Sequence, residues 1–396
     1  MLKNVTLSLL LTLCFTALEA QQVTTITGPF AGSGGVEVDA NGYVYVADYG
    51  DFINNANGTT VMRMMPGGAL DTFATGLLGA SGNCFDSQGN LFQSNIAGSR
   101  ISRVTPAGVV STFVTNGISN PVGVVADEDD NLYVCNCGNN TIRKVTPSGV
   151  STQYAASSQF NCPNGITIDD DGNLYVTNYG HGNIHKVDTN GNVSFFASIG
   201  GSRTGHITYK NGHLFLVSQG NSRVYVSDLL GNVSVLAGTG TRGNGDGPLA
   251  QATFSLPNGI EASATGDTLY VNCSVSLVWD QPSLTLNPSI IRMITGVNGV
   301  LTALEPERST GLDLRVSPNP VREVALAKLS LDIAGQVSAQ LFSASGQLVK
   351  TVESGDWYAA GEHGLEIDAN GMPPGVYFLQ VQAGARQEQT KFIVLE

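Results

Sequence analysis

Short apolar runs alternate with polar turns along most of the chain. Each unit begins at a Gly with a short apolar run and passes through a turn rich in Asp, Asn and Gly. It then reaches a Leu-Tyr-Val run that ends at Asn or Asp. Two further alternating runs follow, such as Ile142–Val145 and Val193–Phe196. Period-two alternation between turn residues predicts four β-strands in each unit.

The unit recurs six times at a nearly fixed interval. Its leading residues are Gly35, Gly82, Gly123, Gly165, Gly205 and Gly259, spaced 47, 41, 42, 40 and 54 residues apart. Such a period indicates stacked units, and four-stranded units arranged around an axis form a β-propeller. We therefore predict six blades, with an inserted connector before the last. A leftover run at residues 23–27 is predicted to join the last blade and close the ring.

Composition and charge agree with an all-β protein and exclude one class of partner. Of the 396 residues, 48 are Gly and only 13% are charged, about half the ~25% usual for soluble domains. This composition disfavours helical bundles and coiled coils. The formal net charge of −13 repels phosphate backbones, so nucleic acid is not an expected partner.

The N-terminus has the layout of a secretory signal peptide over residues 1–20. One Lys precedes an apolar run at residues 5–17, and the small residue Ala20 precedes Gln21. The run is too short to span a bilayer, and no later segment is apolar enough, so no transmembrane segment is expected after cleavage. A buried N-terminal helix and a lipoprotein signal at Cys14 are the alternatives.

Five cysteines remain after that cleavage, namely Cys84, Cys135, Cys137, Cys162 and Cys273. An odd number leaves at least one thiol unpaired, and export permits disulfides. Cys137 follows the second strand of blade three, and Cys162 lies in the loop before blade four. Both loops belong to one face of adjacent blades, which predicts a Cys137–Cys162 disulfide. The alternative is that all five are buried and unpaired.

An Asp ends the first strand of four blades and is predicted to accept hydrogen bonds from the turn that follows. These residues are Asp39, Asp86, Asp127 and Asp169. The acidic runs at 127–130 and 169–171 also resemble calcium loops. A solvated turn is favoured, because the other blades carry neutral residues there.

The pattern changes after residue 305. A polar linker at 306–311 precedes alternating strands with Gly turns over 312–396, which predicts a small β-sandwich. Ser-Pro-Asn-Pro at 317–320 and Pro-Gly-Val-Tyr-Phe at 374–378 resemble the C-terminal sorting domain of type IX secretion. That resemblance implies a Bacteroidota-like host, the type IX secretion machinery as partner, and a secreted or cell-surface product exported through the periplasm. An immunoglobulin-like adhesion module is the alternative.

The propeller, over residues 21–305, also resembles known families. Residues 163–176 are similar to an NHL repeat, and residues 237–260 to the long connector of bacterial NHL propellers. The same features resemble the gluconolactonase propellers. That resemblance implies one divalent metal in the central channel, held by a Glu, two Asn and an Asp. The ligands are expected directly before each leading Gly.

Those positions hold Gly34, Ser81, Val122, Asn164, Thr204 and Asn258. Two Asn match the family, whereas the Glu and the Asp are missing, so calcium or another divalent cation would be held weakly. Glu37 and Glu261 lie two residues past their leading Gly and could supply charge near the axis. His206 follows Gly205 on an inner strand, where a structural histidine is favoured and a base in the channel mouth is the alternative. The predicted channel-mouth site therefore comprises Asn164, Asn258, His206, Glu37 and Glu261.

Two functions follow from these observations. An exported binding propeller for a glycan, peptide or small molecule is favoured, because half of the metal set is missing. The alternative is a metal-dependent, lactonase-like hydrolase that uses Asn164 and Asn258. The sequence identifies no catalytic residue, since it contains no Gly-x-Ser-x-Gly elbow and no phosphate-binding loop.

Overall fold

The computed structural model describes residues 21–277, 284–304, 312–331, 334–343, 347–383 and 386–395. The predicted signal peptide and the predicted linker at 306–311 lie outside these residues. The chain divides into two compact units, residues 1–300 and 301–396. Within the part of the chain described, no helix is long and apolar enough to cross a membrane.

The first unit is a six-bladed β-propeller, as predicted. After β1 (Gln22–Thr25), five four-stranded antiparallel sheets follow in chain order. Their strands are β2 (Val36–Val38), β3 (Val44–Ala47), β4 (Thr60–Met64), β5 (Leu70–Thr75); β6 (Ala80–Phe85), β7 (Leu91–Asn95), β8 (Arg100–Val104), β9 (Val110–Val114); β10 (Pro121–Ala126), β11 (Leu132–Asn136), β12 (Thr141–Val145), β13 (Ser151–Ala156); β14 (Pro163–Ile168), β15 (Leu174–Asn178), β16 (Asn183–Val187), β17 (Val193–Ser198); and β18 (Thr204–Lys210), β19 (His213–Ser218), β20 (Arg223–Asp228), β21 (Val233–Ala237).

The sixth blade joins the two ends of the propeller. Its elements are β22 (Gly247–Pro248), β23 (Ile260–Ala262), β24 (Thr268–Ser274) and β25 (Ser289–Thr295), followed by α1 (Val297–Leu304). Strand β1 pairs antiparallel with β25, and β22 extends the sheet beyond β1. The first strands of the six blades contact one another in a closed cycle, so β1 closes the ring as predicted.

A carboxylate in the inserted connector fastens this closure. Asp246 Oδ1 accepts hydrogen bonds from Thr25 N at 3.0 Å, Thr25 Oγ1 at 2.8 Å and Arg292 Nη2 at 2.9 Å. The Arg292 side chain is fully buried and lies over the Phe254 ring. The long interval before the sixth blade is thus a connector that ties β1 to β25.

The apolar residues of the repeat pack between adjacent blades. One such cluster joins Tyr133, Cys135 and Ile142 of blade three to Ile166 and Leu174 of blade four. Removing this apolar surface from water supplies the main favourable term in folding. The regular alternation of the strands therefore builds the core between blades.

The Asp that recurs at the end of the first strand has the structural role that the sequence predicted. Asp169 Oδ1 accepts hydrogen bonds from Asp171 N and Asn173 N at 3.0 and 2.8 Å, and Tyr175 OH donates to its Oδ2 at 3.1 Å. The same backbone bonds form at Asp39, Asp86 and Asp127. These carboxylates therefore hold their own turns.

The second unit is a small β-sandwich, as predicted. One sheet has the order β26-β27-β30 and the other β29-β28-β31-β32, all antiparallel. The inward residues, such as Leu329, Leu341, Leu379 and Phe392, form one buried core. The strands are β26 (Leu312–Ser317), β27 (Val324–Leu331), β28 (Gly335–Ser343), β29 (Leu348–Tyr358), β30 (Gly361–Asp368), β31 (Gly375–Ala383) and β32 (Arg386–Val394).

Candidate functional site

The inner strand of blade five is shifted by one residue from its predicted register. Ile166 pairs with Val176 in blade four, and Ile207 pairs with Leu216 in blade five, so Ile207 is the equivalent of Ile166. His206 rather than Gly205 therefore occupies the leading-glycine position. The cause is a shorter hairpin, since Lys210 pairs with His213 across a two-residue Asn-Gly turn. The prediction that Thr204 directly precedes the leading position was wrong.

The leading positions form a narrow waist in the central channel. A Cβ atom on Gly82 would lie 2.9 Å from Gly123 Cα and 3.0 Å from His206 Cε1. Blade five stands opposite blade two in a six-bladed ring, so the imidazole of His206 reaches across the axis. The other five leading positions hold glycine, and the absence of side chains there leaves space for this imidazole ring.

The prediction placed His206 at the mouth of the channel. Its imidazole instead fills the narrow part of the channel at the leading positions. Its side chain is only 8% exposed, and no described residue hydrogen-bonds to its Nε2. Burial lowers the pKa of His206 to about 4, so the ring is neutral at pH 7.

Four of the five predicted site residues line two cavities that have no lining residue in common, and the described lining of neither cavity includes His206. Asn164 and Asn258 line a cavity of about 210 Å³. Glu37 and Glu261 line another of about 630 Å³. The two Glu are three residues further along their inner strands than the position of the Asn, a rise of about 10 Å. The five residues therefore do not form one site, and this expectation is corrected.

The smaller cavity is called the amide pocket here. It is lined by Tyr49, Ile53, Ser81, Ile96, Val122, Cys137, Cys162, Asn164, Tyr179, Gln219, Asn258 and Leu286. Its polar lining includes three side-chain amides, and the rest of the lining is mainly aromatic and aliphatic.

Hydrogen bonds fix the orientation of each amide in that floor. Asn258 Nδ2 donates to the Ser33 carbonyl at 2.8 Å, which directs Asn258 Oδ1 toward Gln219. Gln219 Nε2 donates to this oxygen at 3.0 Å. Gln219 Oε1 is then left without a hydrogen-bond partner among the described residues, although the side chain is only 1% exposed. Asn164 Nδ2 donates to Thr204 O at 2.6 Å, so its amide nitrogen is engaged as well.

The walls of the amide pocket come from several blades. Tyr49 and Tyr179 stand on opposite blades, and Tyr49 OH donates to Ile53 O at 2.8 Å. Burial raises the pKa of both phenols, so both are neutral at pH 7. A disulfide joins Cys137 to Cys162 at this wall, the pairing that the loop positions predict. Cys84, Cys135 and Cys273 are free and buried.

Sequence reasoning missed four lining residues that share one position of the repeat, one or two residues after the second strand of the blade. They are Tyr49, Ile96, Tyr179 and Gln219. Cys137 holds the same position in blade three. Aligning the repeats beyond the Leu-Tyr-Val strand would have placed them around one mouth of the channel. Only Cys137 was singled out, for its disulfide.

The larger cavity contains a pair of carboxyl groups at the joint between the first and last blades. Glu261 Oε1 accepts hydrogen bonds from Thr208 Oγ1 at 2.6 Å and Ala262 N at 2.9 Å. Burial raises the pKa of Glu261 to about 7, against the lowering effect of these bonds. Burial, and then the charge of Glu261, raise the pKa of Glu37 well above its ordinary value. The pair therefore carries less than two full negative charges at neutral pH.

The residues of the amide pocket do not fit a divalent metal. Its described lining residues include no carboxylate, and Asn258 Oδ1 already accepts a hydrogen bond from Gln219. Calcium takes six to eight oxygens, usually with carboxylates among them. Across the described ranges, no group of three or more His, Cys, Asp or Glu side chains is placed to hold a metal ion.

The chain is a β-propeller protein with a secretion-system sorting domain at its C-terminus. Residues 315–395 match the secretion system C-terminal sorting domain. Residues 40–235 match the virginiamycin B lyase family. The sorting domain marks the chain for export to the cell surface or the medium. A comparison with curated proteins finds no match.

Solved structures show the same propeller fold at low sequence identity. A gluconolactonase from Xanthomonas campestris is 15% identical with a TM-score of 0.53, over 70% of this chain and 91% of its own. An auxiliary nutrient binding protein from Bacteroides thetaiotaomicron is 15% identical with a TM-score of 0.55, over 69% and 76%. The virginiamycin B lyase of Staphylococcus aureus is 16% identical with a TM-score of 0.48, over 69% and 98%. The gluconolactonase and the nutrient binding protein, with TM-scores above 0.5, confirm the predicted gluconolactonase-like fold. The NHL assignment stays a prediction.

Proposed function

We propose that this protein is an exported binding propeller that holds a small molecule in the amide pocket. The observation that carries the proposal is the chemistry of the lining. Apolar and aromatic walls surround a few oriented polar groups, which is the usual composition of a small-molecule site.

The same lining supports binding over catalysis. Hydrolysis or elimination needs a base, an acid, a nucleophile or a metal near the reacting bond. Among the described residues, the amide pocket is lined by no Asp, Glu, His or Lys. Its two cysteines are joined in a disulfide, and its tyrosines are neutral. The described lining therefore offers no catalytic group for the lactonase-like alternative. It offers none for a lyase activity, which the family match suggests, either.

The proposal includes the route of export. The predicted signal peptide would take the chain across the inner membrane, and the type IX machinery would recognise the sorting domain. The mature propeller then acts at the cell surface or in the medium of a Bacteroidota-like host. The auxiliary nutrient binding protein with the same fold offers a precedent for a binding role.

A ligand screen with two matched tryptophan variants tests the proposal. Uncharged small molecules, including mono- and disaccharides and lactones, are screened by ligand-observed NMR against the mature chain. Ile96→Trp fills the amide pocket from its wall, whereas Leu230→Trp adds the same ring at a position that is 86% exposed. We expect ligands that bind the wild type and Leu230→Trp but not Ile96→Trp.

Catalysis would contradict the proposal. The lactones are therefore also assayed for turnover with calcium, with zinc and with a chelator. Metal-dependent turnover that is lost in Asn164→Ala would establish a hydrolase in place of a binding protein.

A further inference from the structure

We infer that the larger cavity is a second binding site, which takes an organic ammonium ion with one positive charge at Glu37 and Glu261. This site is separate from the amide pocket and goes beyond the proposed function. Three features of the larger cavity point to it: the place of the two carboxyl groups in the channel, their accessibility without a cationic partner, and the walls around them.

The first feature is a ring of six side chains around the channel. Each stands two residues after the leading position of its blade, on the same face of the inner strand, and all six line the larger cavity. They are Glu37, Cys84, Val125, Thr167, Thr208 and Glu261. Four blades place a neutral residue at this position, so the propeller fold does not require a carboxyl group there. The two carboxyl groups stand on blades one and six, which are neighbours in the closed ring.

The second feature is that these carboxyl groups are accessible from the cavity but have no cationic partner. Both Glu37 and Glu261 are partly exposed, and each lines the cavity. Among the described residues, Glu37 accepts only a backbone hydrogen bond, from Val38 N at 3.2 Å, and neither carboxyl group forms an ion pair. The charge of Lys210 acts on Glu261, but Lys210 is not among the described lining residues. Because a charge in a buried site is stable only when it is paired, a cation bound here would compensate the carboxyl groups.

The pair selects one positive charge. The charge of Glu261 acts on Glu37, and together the two groups carry less than two full negative charges at neutral pH. A divalent metal ion would also need further ligands, and the described residues contain no group of three or more side chains placed to hold one. An ammonium group needs only one negative charge and donates hydrogen bonds to the carboxyl oxygens.

The third feature is an aromatic wall in the same cavity. Tyr45, Phe73, Phe85 and Tyr209 are among its lining residues. The ring centroid of Tyr45 lies 4.9 Å from that of Phe73 and 5.1 Å from that of Phe85, so these three rings form one apolar surface. Aromatic side chains accommodate the apolar part of a ligand and attract cations. No Lys, Arg or His occurs in the described lining to oppose a cation.

Two probes of nearly the same shape test the inference, namely benzylammonium and benzyl alcohol. Their dissociation constants for the mature protein are measured by NMR titration at neutral pH. We expect benzylammonium to bind about ten-fold more tightly than benzyl alcohol, the ratio that one charge-assisted hydrogen bond supplies. Benzoate, which has the opposite charge, is expected to bind more weakly than either.

Substitutions of the two carboxyl groups show whether they determine the preference. The double variant Glu37→Gln with Glu261→Gln keeps both side-chain shapes but cannot ionise, so the two probes should then bind within about two-fold of each other. Glu128→Gln, at an exposed carboxyl group in a turn of blade three, is the matched control and should retain the wild-type preference. Ile96→Trp fills the amide pocket and should retain it as well.

The outcomes separate this site from the amide pocket. Benzyl alcohol or benzoate binding as tightly as benzylammonium, or a cation preference that persists in the double variant, would overturn the inference. Loss of benzylammonium binding in Ile96→Trp would also overturn it, because the cation would then bind in the amide pocket. If the double variant does not fold, Glu261→Gln decides, since it should weaken benzylammonium binding by about three-fold or more, and an unchanged affinity would contradict the inference. A failed ligand screen at the amide pocket would overturn the proposed function alone.

Discussion

The paired carboxyl groups of the larger cavity make the stability of the propeller depend on pH in a defined direction. Burial raises the pKa of Glu261 from 4.5 to about 7 in the folded protein. A raised folded pKa means that the folded state favours the protonated acid. Ionisation of Glu261 therefore lowers the free energy of unfolding. This loss of stability is absent below pH 4.5, grows as the pH rises, and is complete above about pH 7.

The size of this penalty follows from the same shift. At 1.36 kcal/mol for each pH unit, the interval from 4.5 to about 7 corresponds to roughly 3 kcal/mol. Glu261 is partly exposed to the cavity, so we expect about 1–3 kcal/mol. Glu261→Gln keeps an acceptor for Thr208 Oγ1 and cannot ionise. The variant should therefore gain this amount of stability relative to the wild type between pH 4.5 and pH 8.

Chemical denaturation of the mature chain at pH 4.5, 6 and 8 measures this difference. Glu128→Gln, an exposed carboxyl in a turn of blade three, is the matched control and should show no such trend. A difference between Glu261→Gln and the wild type that stays constant from pH 4.5 to pH 8 would refute the reasoning. Such a constant difference would mean that Glu261 is hydrated in the folded protein and that its pKa is not raised.

Three further predictions concern stability. Replacing Cys137 and Cys162 by Ser opens a loop of 25 residues and should lower the free energy of unfolding by about 3 kcal/mol, measured against the wild type with and without reductant. Asp246→Ala leaves a buried guanidinium without its carboxylate and should cost about 3 kcal/mol. In the same denaturation assay, Asp71→Ala in the partly exposed ion pair with Arg63 should cost only about 1 kcal/mol. Burial lowers the pKa of His206 from 6.5 to about 4, so the wild type loses up to roughly 3 kcal/mol of stability as the pH falls through this interval. His206→Gln cannot gain this proton, and its free energy of unfolding should therefore depend less on pH between 6.5 and 4. An unchanged acid profile would contradict that assignment.

The fold was largely predictable because the same pattern of apolar strands and polar turns recurs in each blade. Each blade carries the same alternation and the same apolar strand, and four of the six carry the same Asp turn. The number of blades and the closing role of β1 follow from counting these units. The sandwich was predictable for the same reason, since its strands alternate between buried and exposed positions.

The site was less predictable, because it depends on register and on the ends of strands. A hairpin at Asn211-Gly212 that is shorter by one residue moves His206 into the waist, a shift that glycine spacing does not reveal. Distances along the channel also separate Asn164 from Glu261, although both lie near a leading Gly in sequence. Gln219 follows its strand without any motif, and its significance appears only once its hydrogen bonds are known.

Ligand-observed NMR with the wild type, Ile96→Trp and Leu230→Trp tests the central claim most directly, since it asks whether the amide pocket binds a small molecule. The account predicts that uncharged ligands of the wild type also bind Leu230→Trp and are lost in Ile96→Trp. Ligands that bind all three proteins equally would place the binding site elsewhere and contradict the account.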